Sequence, residues 1–455
     1  DNLVGSNPNA LPQIEIRGKT SVDNRSLRDE FTADPNQPLF ILDGFETNLR
    51  TVLDLDMNRV ESLTLLKDAA STAIYGARAA NGVVVIETKK PVPGSMQFYY
   101  SGDFRIEVPD LNDYNMMNAE EKLEFERLSG RYTYGGSAAN WPLQVVLDSL
   151  YNSRLQKVRR GIDSYWLNEP LQTGFTQGHS IRAEGGDARA RYGAGLQYRR
   201  QTGVMIGSGR DTWQGNLDLI YRVGKFNIQN KFFVNGFTAD ESPYGSFADF
   251  VNTNPYYSKY NELGEIGKYL EIGKGRMGSE EVVVNPLYNA LLNNFDIHKN
   301  FGIQNNLQLT YMMSPGIQLQ GGIQVNKGSG DHTIFYPAEH SRFDNYGPFE
   351  KGSHSRRSIE SSGYQANMML TYGKLFKNIH QLNANLRAEI QENRNETYRA
   401  IAVGFPANSN GNPAFAYGYE PNRRPQTYLS VFRRNNFLLS GSYTLDRRFV
   451  TDFSL

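Results

Sequence analysis

The residues able to catalyse a reaction or hold a metal are scattered along this chain of 455 residues. Six histidines stand at His179, His298, His332, His340, His354 and His380, none at the spacing of an H-x-x-x-H ligand pair. No G-x-S-x-G elbow presents a nucleophile, and the many carboxylates carry no pairing signal. "GKGRMG" (Gly273–Gly278) has the glycine spacing of a dinucleotide cradle, but "SEEVVVNP" follows it where a helix is required, so it reads as an outer loop. "DLDMN" (Asp54–Asn58) opens like a calcium loop. Arg59 then replaces the glycine of its sixth position and Leu65 the glutamate of its twelfth, leaving a polar turn and a short helix before a strand over Glu61–Leu66. The expectation is a protein that is not an enzyme, with no metal and no cofactor.

The most ordered local signal is "LLKDAASTAIYGARAANGVVVIETKK", residues 65–90. Asp68 can cap a helix by accepting backbone N–H bonds, Ala69 to Tyr75 suit a short helix, and Gly76 stands where a left-handed C-cap would. Asn81-Gly82 then turns the chain into Val83–Ile86, a β-branched run fit for a buried strand.

Composition bounds the rest. Forty-eight basic residues balance 48 acidic ones, which argues against a nucleic-acid partner. There is no cysteine, as suits a bacterial envelope protein, and aromatic content is high at 12%, mostly Tyr and Phe. No stretch approaches the roughly 20 apolar residues of a spanning helix. "DNLVGSNPNA" has neither the basic start nor the apolar core of a signal peptide, and the chain ends inside a strand pattern, so a piece of a longer protein is expected.

Beyond residue 95 the sequence alternates with period two. In "QLNANLRAEI", Leu382, Ala384, Leu386, Ala388 and Ile390 alternate with Gln381, Asn383, Asn385, Arg387 and Glu389. The same pattern marks 96–108, 190–200, 213–223, 226–237, 301–312, 317–325, 364–373 and 437–445. These strands should run about 9–12 residues, and about ten or eleven of them are expected. Their connections alternate short and long, as in "GK" (224–225) against the whole of 238–300. That alternation puts tight turns on one side and long loops on the other, which a transmembrane β-barrel requires and a Greek-key sandwich does not. A wide barrel needs a blocked lumen, and the α/β segment at the front of the chain can supply the block. The expected fold is therefore a small N-terminal α/β plug domain over 1–92 inside part of an antiparallel transmembrane β-barrel, residues 93–455.

"PQIEIRGKTS" (12–21), "PLFILDGF" (38–45) and "VESLTLLKDAASTAIYGARAANGVVVIETKK" (60–90) resemble the plug signature of the SusC/RagA family, the TonB-dependent outer-membrane transporters of the Bacteroidetes. The stretch 165–219 and "NPLYNA" (285–290) resemble that family's first barrel strands. The resemblance implies a bacterial outer-membrane location in contact with its lipid, and a 22-stranded barrel of which about half is present. It implies a TonB-binding segment upstream of Asp1, a SusD-like surface lipoprotein as a lid, and dimers of transporter–lid pairs. The implied activity is TonB-dependent import of oligosaccharides or peptides. The alternatives are lidless uptake of a metal chelate or vitamin, and a non-transporting surface glycan-binding protein. Asp43, Gly44, Lys67, Asp68, Tyr75, Gly76, Arg78, Asn81 and Gly82 belong to the signature, with plug folding and plug–wall contact as their favoured role. Trp141, Asn254, Tyr256 and Tyr257, in outer connections, are the candidates for cargo contact, since sugar faces stack on aromatic rings. The basic run "RLQKVRRG" (154–161) is expected to be a solvated loop face.

Overall fold

The computed structural model describes residues 7–12, 14, 37–67, 75, 79–134, 141–274, 279–421 and 423–454. Near the N-terminus, β1 (Leu39–Leu42) and β2 (Phe45–Thr47) form a hairpin. Its turn is Asp43-Gly44, both at positive φ, +51° and +86°. Such paired left-handed residues match the strands' own twist, and Asp-Gly supplies them at low steric cost. A short helix, α1 (Leu49–Asp54), follows, capped by the Asn48 side chain accepting from the Thr51 N–H. Next come a single 3₁₀ turn, Met57–Arg59, and β3 (Val60–Leu66), in the place expected for a turn, a short helix and a strand. After Gly82, at φ +93°, β4 (Val83–Thr88) inserts between β1 and β3 to give the order β2-β1-β4-β3. Val83 and Val84 are buried and Val85 half-buried because β4 lies between β1 and β3 with apolar residues packed on each side, which selects a continuous β-branched run. Phe40, Leu42, Leu49, Leu55, Val84 and Ile86 pack on one side; Leu39, Ile41, Tyr75, Ala79 and Val83 pack on the other. Asp68, Gly76, Arg78 and most of the expected Ala69–Tyr75 helix fall outside the described residues.

From Gly94 onward one antiparallel sheet dominates. Its strands are β5 (Gly94–Glu107), β6 (Gly174–Gly186), β7 (Ala190–Thr202), β8 (Gly209–Val223), β9 (Phe226–Asp240), β12 (Phe295–Ser314), β13 (Ile317–Tyr336), β14 (Ser353–Phe376), β15 (His380–Val403), β17 (Gln426–Leu445) and β18 (Phe449–Ser454). Each pairs with its sequence neighbours in that sheet, and a two-residue strand, β16 (Gly418–Tyr419), pairs with the outer end of β15. The hairpin β10 (Tyr269–Lys274) and β11 (Glu280–Val284) stands apart, inside the long connection after β9.

Two expectations need correction. The long strands run 13 to 24 residues and exceed 9–12. The extra length is at the long-loop ends, where both faces are polar, as in Gln391–Thr397 of β15, so the apolar alternation that marks a strand in lipid stops while the hydrogen-bond ladder continues. The second is β6, absent from the alternation pattern. Gln177, Gly185 and the outward His179 break its apolar face, and His179 is held instead between Tyr100 and Phe104 of β5.

The faces sort as a membrane wall requires. On β15, Leu386 and Ile390 are 53% and 46% exposed while Glu389 between them is 2% exposed. Outward rings form two bands. Phe226 stacks on Tyr311 near the tight turns at 4.4 Å between centroids, and Trp213 lies 6.2 Å from Phe301 farther up. About ten residues separate the bands on one strand, close to the ~25 Å apolar height of such barrels. Gly236 pairs with both Trp213 and Phe301 and lets these rings cover the backbone; a Cβ there would meet the indole at 2.7 Å. Gly236→Val should therefore displace Trp213 and cost about 1–3 kcal/mol, read as a lower transition temperature on heat-modifiability gels.

Candidate functional site

Charged plug residues meet the inward face of the wall at sites spread across the sheet. Asp43, at the hairpin turn, holds Lys231 of β9 at 2.7 Å, and its two oxygens accept from the Thr88 backbone N–H and hydroxyl. Gln308 of β12 donates to the Asp43 carbonyl at 2.9 Å. Asp54 pairs with Arg210 of β8 at 2.9 Å, and that guanidinium lies 3.7 Å over the Phe237 ring of β9. Arg59 faces Asp218 of β8 at 3.9 Å, and Glu46 takes Arg434 of β17 at 2.8 Å. Arg434 also approaches Glu389 at 3.6 Å, which Arg387 holds at 3.0 Å. Phe45 touches the wall where Gly322 leaves room; a Cβ would sit 3.1 Å from its ring. One small domain can reach β8, β9, β12, β13 and β17 on the same face only because the sheet curves around it.

Gly44 stands beside Gln308, 3.0 Å from where a Cβ would project. Tyr75 is buried in the plug core, and Asn81 is buried and donates to the Gln37 carbonyl at 3.4 Å. Lys67 is exposed.

Above the plug, the long connections fold into a layer of their own. It contains α2 (Ala119–Leu128), α3 (Trp141–Arg159), α4 (Phe247–Val251), α5 (Pro286–Ala290) and the hairpin β10–β11. Asn118 and Glu121 close a capping box on α2, and Asn285 caps α5 ahead of Pro286. Trp166, Phe250, Tyr256, Tyr257 and Leu287 form the layer's core.

At its centre is Arg154, 3% exposed. It pairs with Glu271 at 2.5 Å and Glu126 at 3.2 Å, and donates to the Tyr132 and Tyr257 hydroxyls at 2.8 and 3.1 Å. Tyr132 and Tyr256 donate in turn to Glu126 at 2.6 and 3.0 Å. Burial alone would weaken the Arg154 charge, but the Glu271 hydrogen bond and the surrounding groups more than offset it and hold its pKa above the usual value. Burial likewise pushes all three tyrosine hydroxyls above their ordinary range, so they stay protonated and donate. The expectation of a solvated face at 154–161 is thus overturned at Arg154. Lys157 and Arg159 do end α3 where cations suit the helix dipole.

Between this layer, the outer strand ends and the plug's Asn7 is a cavity of about 1240 Å³. Asn254, Tyr257, Asn289, Asp296, His298 and Arg342 are among its lining. The arrangement offers amide and guanidinium donors, carboxylate acceptors and aromatic edges together, a surface suited to a polar, multi-group ligand. Of the sequence candidates, Asn254 lines this cavity and donates to the Tyr256 hydroxyl at 2.7 Å. Tyr257 reaches the cavity but is 1% exposed, and Tyr256 is 0% exposed, their rings turned to Arg154 at 5.9 and 5.0 Å. Stacking of a sugar on either ring face would require this core to open. Trp141 begins α3, and its side chain lies outside the described residues. Sequence reading missed Arg154, Glu126 and Glu271 as a unit; the basic run at 154–161 and the aromatic "NPYY" were local signals that did not join them.

His340, in the same lining, is pushed down to about 4 by burial, with Arg342 and Lys268 adding and Asp344 opposing. Its Nδ1 accepts the Arg342 backbone N–H at 3.2 Å, as only an unprotonated nitrogen can. An unfolded imidazole takes its proton near 6.5, so between about 6.5 and about 4 the unfolded loop binds more protons than the folded one. His340's contribution to loop stability is full above that window, declines as pH falls through it, and is absent below. Protection of the 337–352 amides against hydrogen exchange, taken relative to the intrinsic rate at each pH, should therefore fall more from pH 7.5 to 5 in the native protein than in His340→Gln.

A family model for the TonB-dependent Receptor Plug Domain matches residues 2–83. TonB-dependent receptor P26 of Formosa agariphila is 23% identical over 412 residues, which is 89% of this chain and 38% of that protein. TonB-dependent receptor SusC of Bacteroides thetaiotaomicron is 25% identical over 275 residues, 58% of this chain and 24% of SusC. The chain thus spans less than half the length of the curated relatives it matches. In structure, the RagAB peptide importer in its closed-closed state superposes with a TM-score of 0.75 at 20% identity, over 99% of this chain and 50% of that one. The plug match and these relatives, joined to a half-barrel wall curved around an ion-paired plug, identify the plug and barrel wall of a TonB-dependent receptor similar to those of SusC/RagA type, which are β-barrel proteins of the outer membrane.

Proposed function

We propose that this chain is the plug and first barrel half of an active importer for oligosaccharides or peptides, working with TonB and a SusD-like lipoprotein lid, and that it catalyses no reaction. The observation that carries the reading is the cavity of about 1240 Å³ at the long-loop end, directly above a plug fastened to the wall by ion pairs. Separating an apolar interface costs about 25 cal/mol for each Å² exposed. Separated charges recover hydration instead, so an ionic plug face can part from the wall under force and close again. Cargo captured in the cavity passes once that face opens. The likeness to SusC and to the RagAB peptide importer supports the general architecture of this reading, and the mixed polar and aromatic lining supports its cargo class.

The test is mass spectrometry of the intact receptor purified gently from native outer membranes. A stoichiometric lipoprotein with a bound oligosaccharide or peptide is expected. A receptor recovered alone, or with an iron chelate or a cobalamin, would sink the proposal in favour of lidless chelate or vitamin uptake.

A further inference from the structure

We propose that Asp296, His298 and His332 form a binding site for a divalent first-row transition metal on the inner wall of the barrel, above the membrane. The sheet register assembles it. His298 on β12 lies directly opposite His332 on β13, and Asp296 is two residues before His298 on the same face. That face is the inward one, since Asn306 on it is buried and Gln308 reaches the plug. His332 is fifteen residues beyond the tight-turn end of β13, roughly 50 Å along the strand at ~3.3 Å per residue, past the apolar band even for a tilted strand.

Both imidazoles direct Nε2 at a single carboxylate oxygen. Asp296 Oδ1 is 2.7 Å from His332 Nε2 and 3.5 Å from His298 Nε2, and the two rings stack at 3.6 Å between centroids with 20° between their planes. The three donor atoms all lie within 4.8 Å of one another. A metal with bonds of about 2.0–2.2 Å to nitrogen and oxygen sets neighbouring ligand atoms roughly 3.3 Å apart, and the two observed Asp–His separations bracket that spacing. Two imidazoles and a carboxylate favour zinc, iron, nickel or copper over magnesium or calcium.

The surroundings admit a cation. Across from His298 on β9 is Ala239, small and fully buried, and the Asp296 carbonyl is fixed by the Glu241 backbone N–H at 3.0 Å. Arg357 of β14, opposite His332, is the competing positive charge that the ladder sets beside the group. Asp296 and His298 belong to the cavity wall, so coordination positions left open by the protein face its interior. A simpler account is a carboxylate hydrogen-bonded to one of two stacked histidines, and the two differ in metal affinity.

The intact receptor, purified in detergent without a polyhistidine tag and stripped with EDTA, is titrated with Co²⁺ and followed by visible d–d absorption. One saturable equivalent per chain is expected, displaced by Zn²⁺, and weakened about tenfold or more in His298→Ala and in His332→Ala but not in His380→Ala, at the tight-turn end of β15. Heat-modifiability gels on each variant separate loss of the site from loss of the barrel. Absence of saturable Co²⁺ binding, or binding that survives in the folded His298→Ala/His332→Ala double variant, overturns the proposal.

Discussion

Arg154→Met should melt the outer layer and leave the barrel standing. The substitution keeps the volume but strands Glu126 and Glu271, whose side chains are only 12% and 11% exposed. Removing one partner from a buried ionic group costs about 3–5 kcal/mol, because the other charges remain desolvated. Here one cation serves two carboxylates and two tyrosine hydroxyls, so the upper part of that range applies. Hydrogen exchange should rise across 119–134 and 141–159 while β12–β15 stay protected and the heat-modifiable band persists. The triple variant Arg154→Met, Glu126→Gln, Glu271→Gln removes the stranded charges and should recover most of the loss. Equal exchange in wild type and Arg154→Met would show that the aromatic core holds the layer without the ionic centre.

Breaking the Asp43–Lys231 pair should loosen the plug. Asp43→Ala leaves the Lys231 ammonium, 14% exposed, facing an apolar methyl, and strips two acceptors from Thr88. It also puts alanine at φ +51°, which aspartate tolerates better. The expected cost is about 3–5 kcal/mol to plug docking. Lys231→Met alone should cost a similar amount, and the double variant Asp43→Ala/Lys231→Met clearly less than the sum. The readout is the urea concentration at which β4 amides lose protection, compared with the wall. Additive losses would show that the two residues act separately.

Much of the wall was legible because lipid imposes a rule on every strand. Leu386 and Ile390 must face out and Glu389 in, and a single sequence shows that alternation directly. Asn81-Gly82 before a β-branched run likewise announced β4, because a positive φ and a buried central strand each demand particular residues. Legibility stopped where lipid and local geometry stopped. Above the membrane both strand faces are wet, so nothing marked the upper halves of β14 and β15. Arg154 looked like a solvated cation, since its partners Glu126 and Glu271 stand 28 and 117 residues away and only the folded layer joins them. His298 and His332 showed no ligand spacing because their pairing is a matter of register between strands.

The central claim is that cargo passes only when the plug's ionic face leaves the wall. These 455 residues contain no cysteine, so Asp43→Cys/Lys231→Cys places one pair across that face with no other thiol in the plug or this part of the wall. In cells energised for TonB function, uptake of the co-purifying oligosaccharide or peptide is measured after bridging the pair with a short reducible dithiol cross-linker. Uptake should stop with surface binding retained, and should resume on reduction. Undiminished uptake through a cross-linked plug would contradict the account.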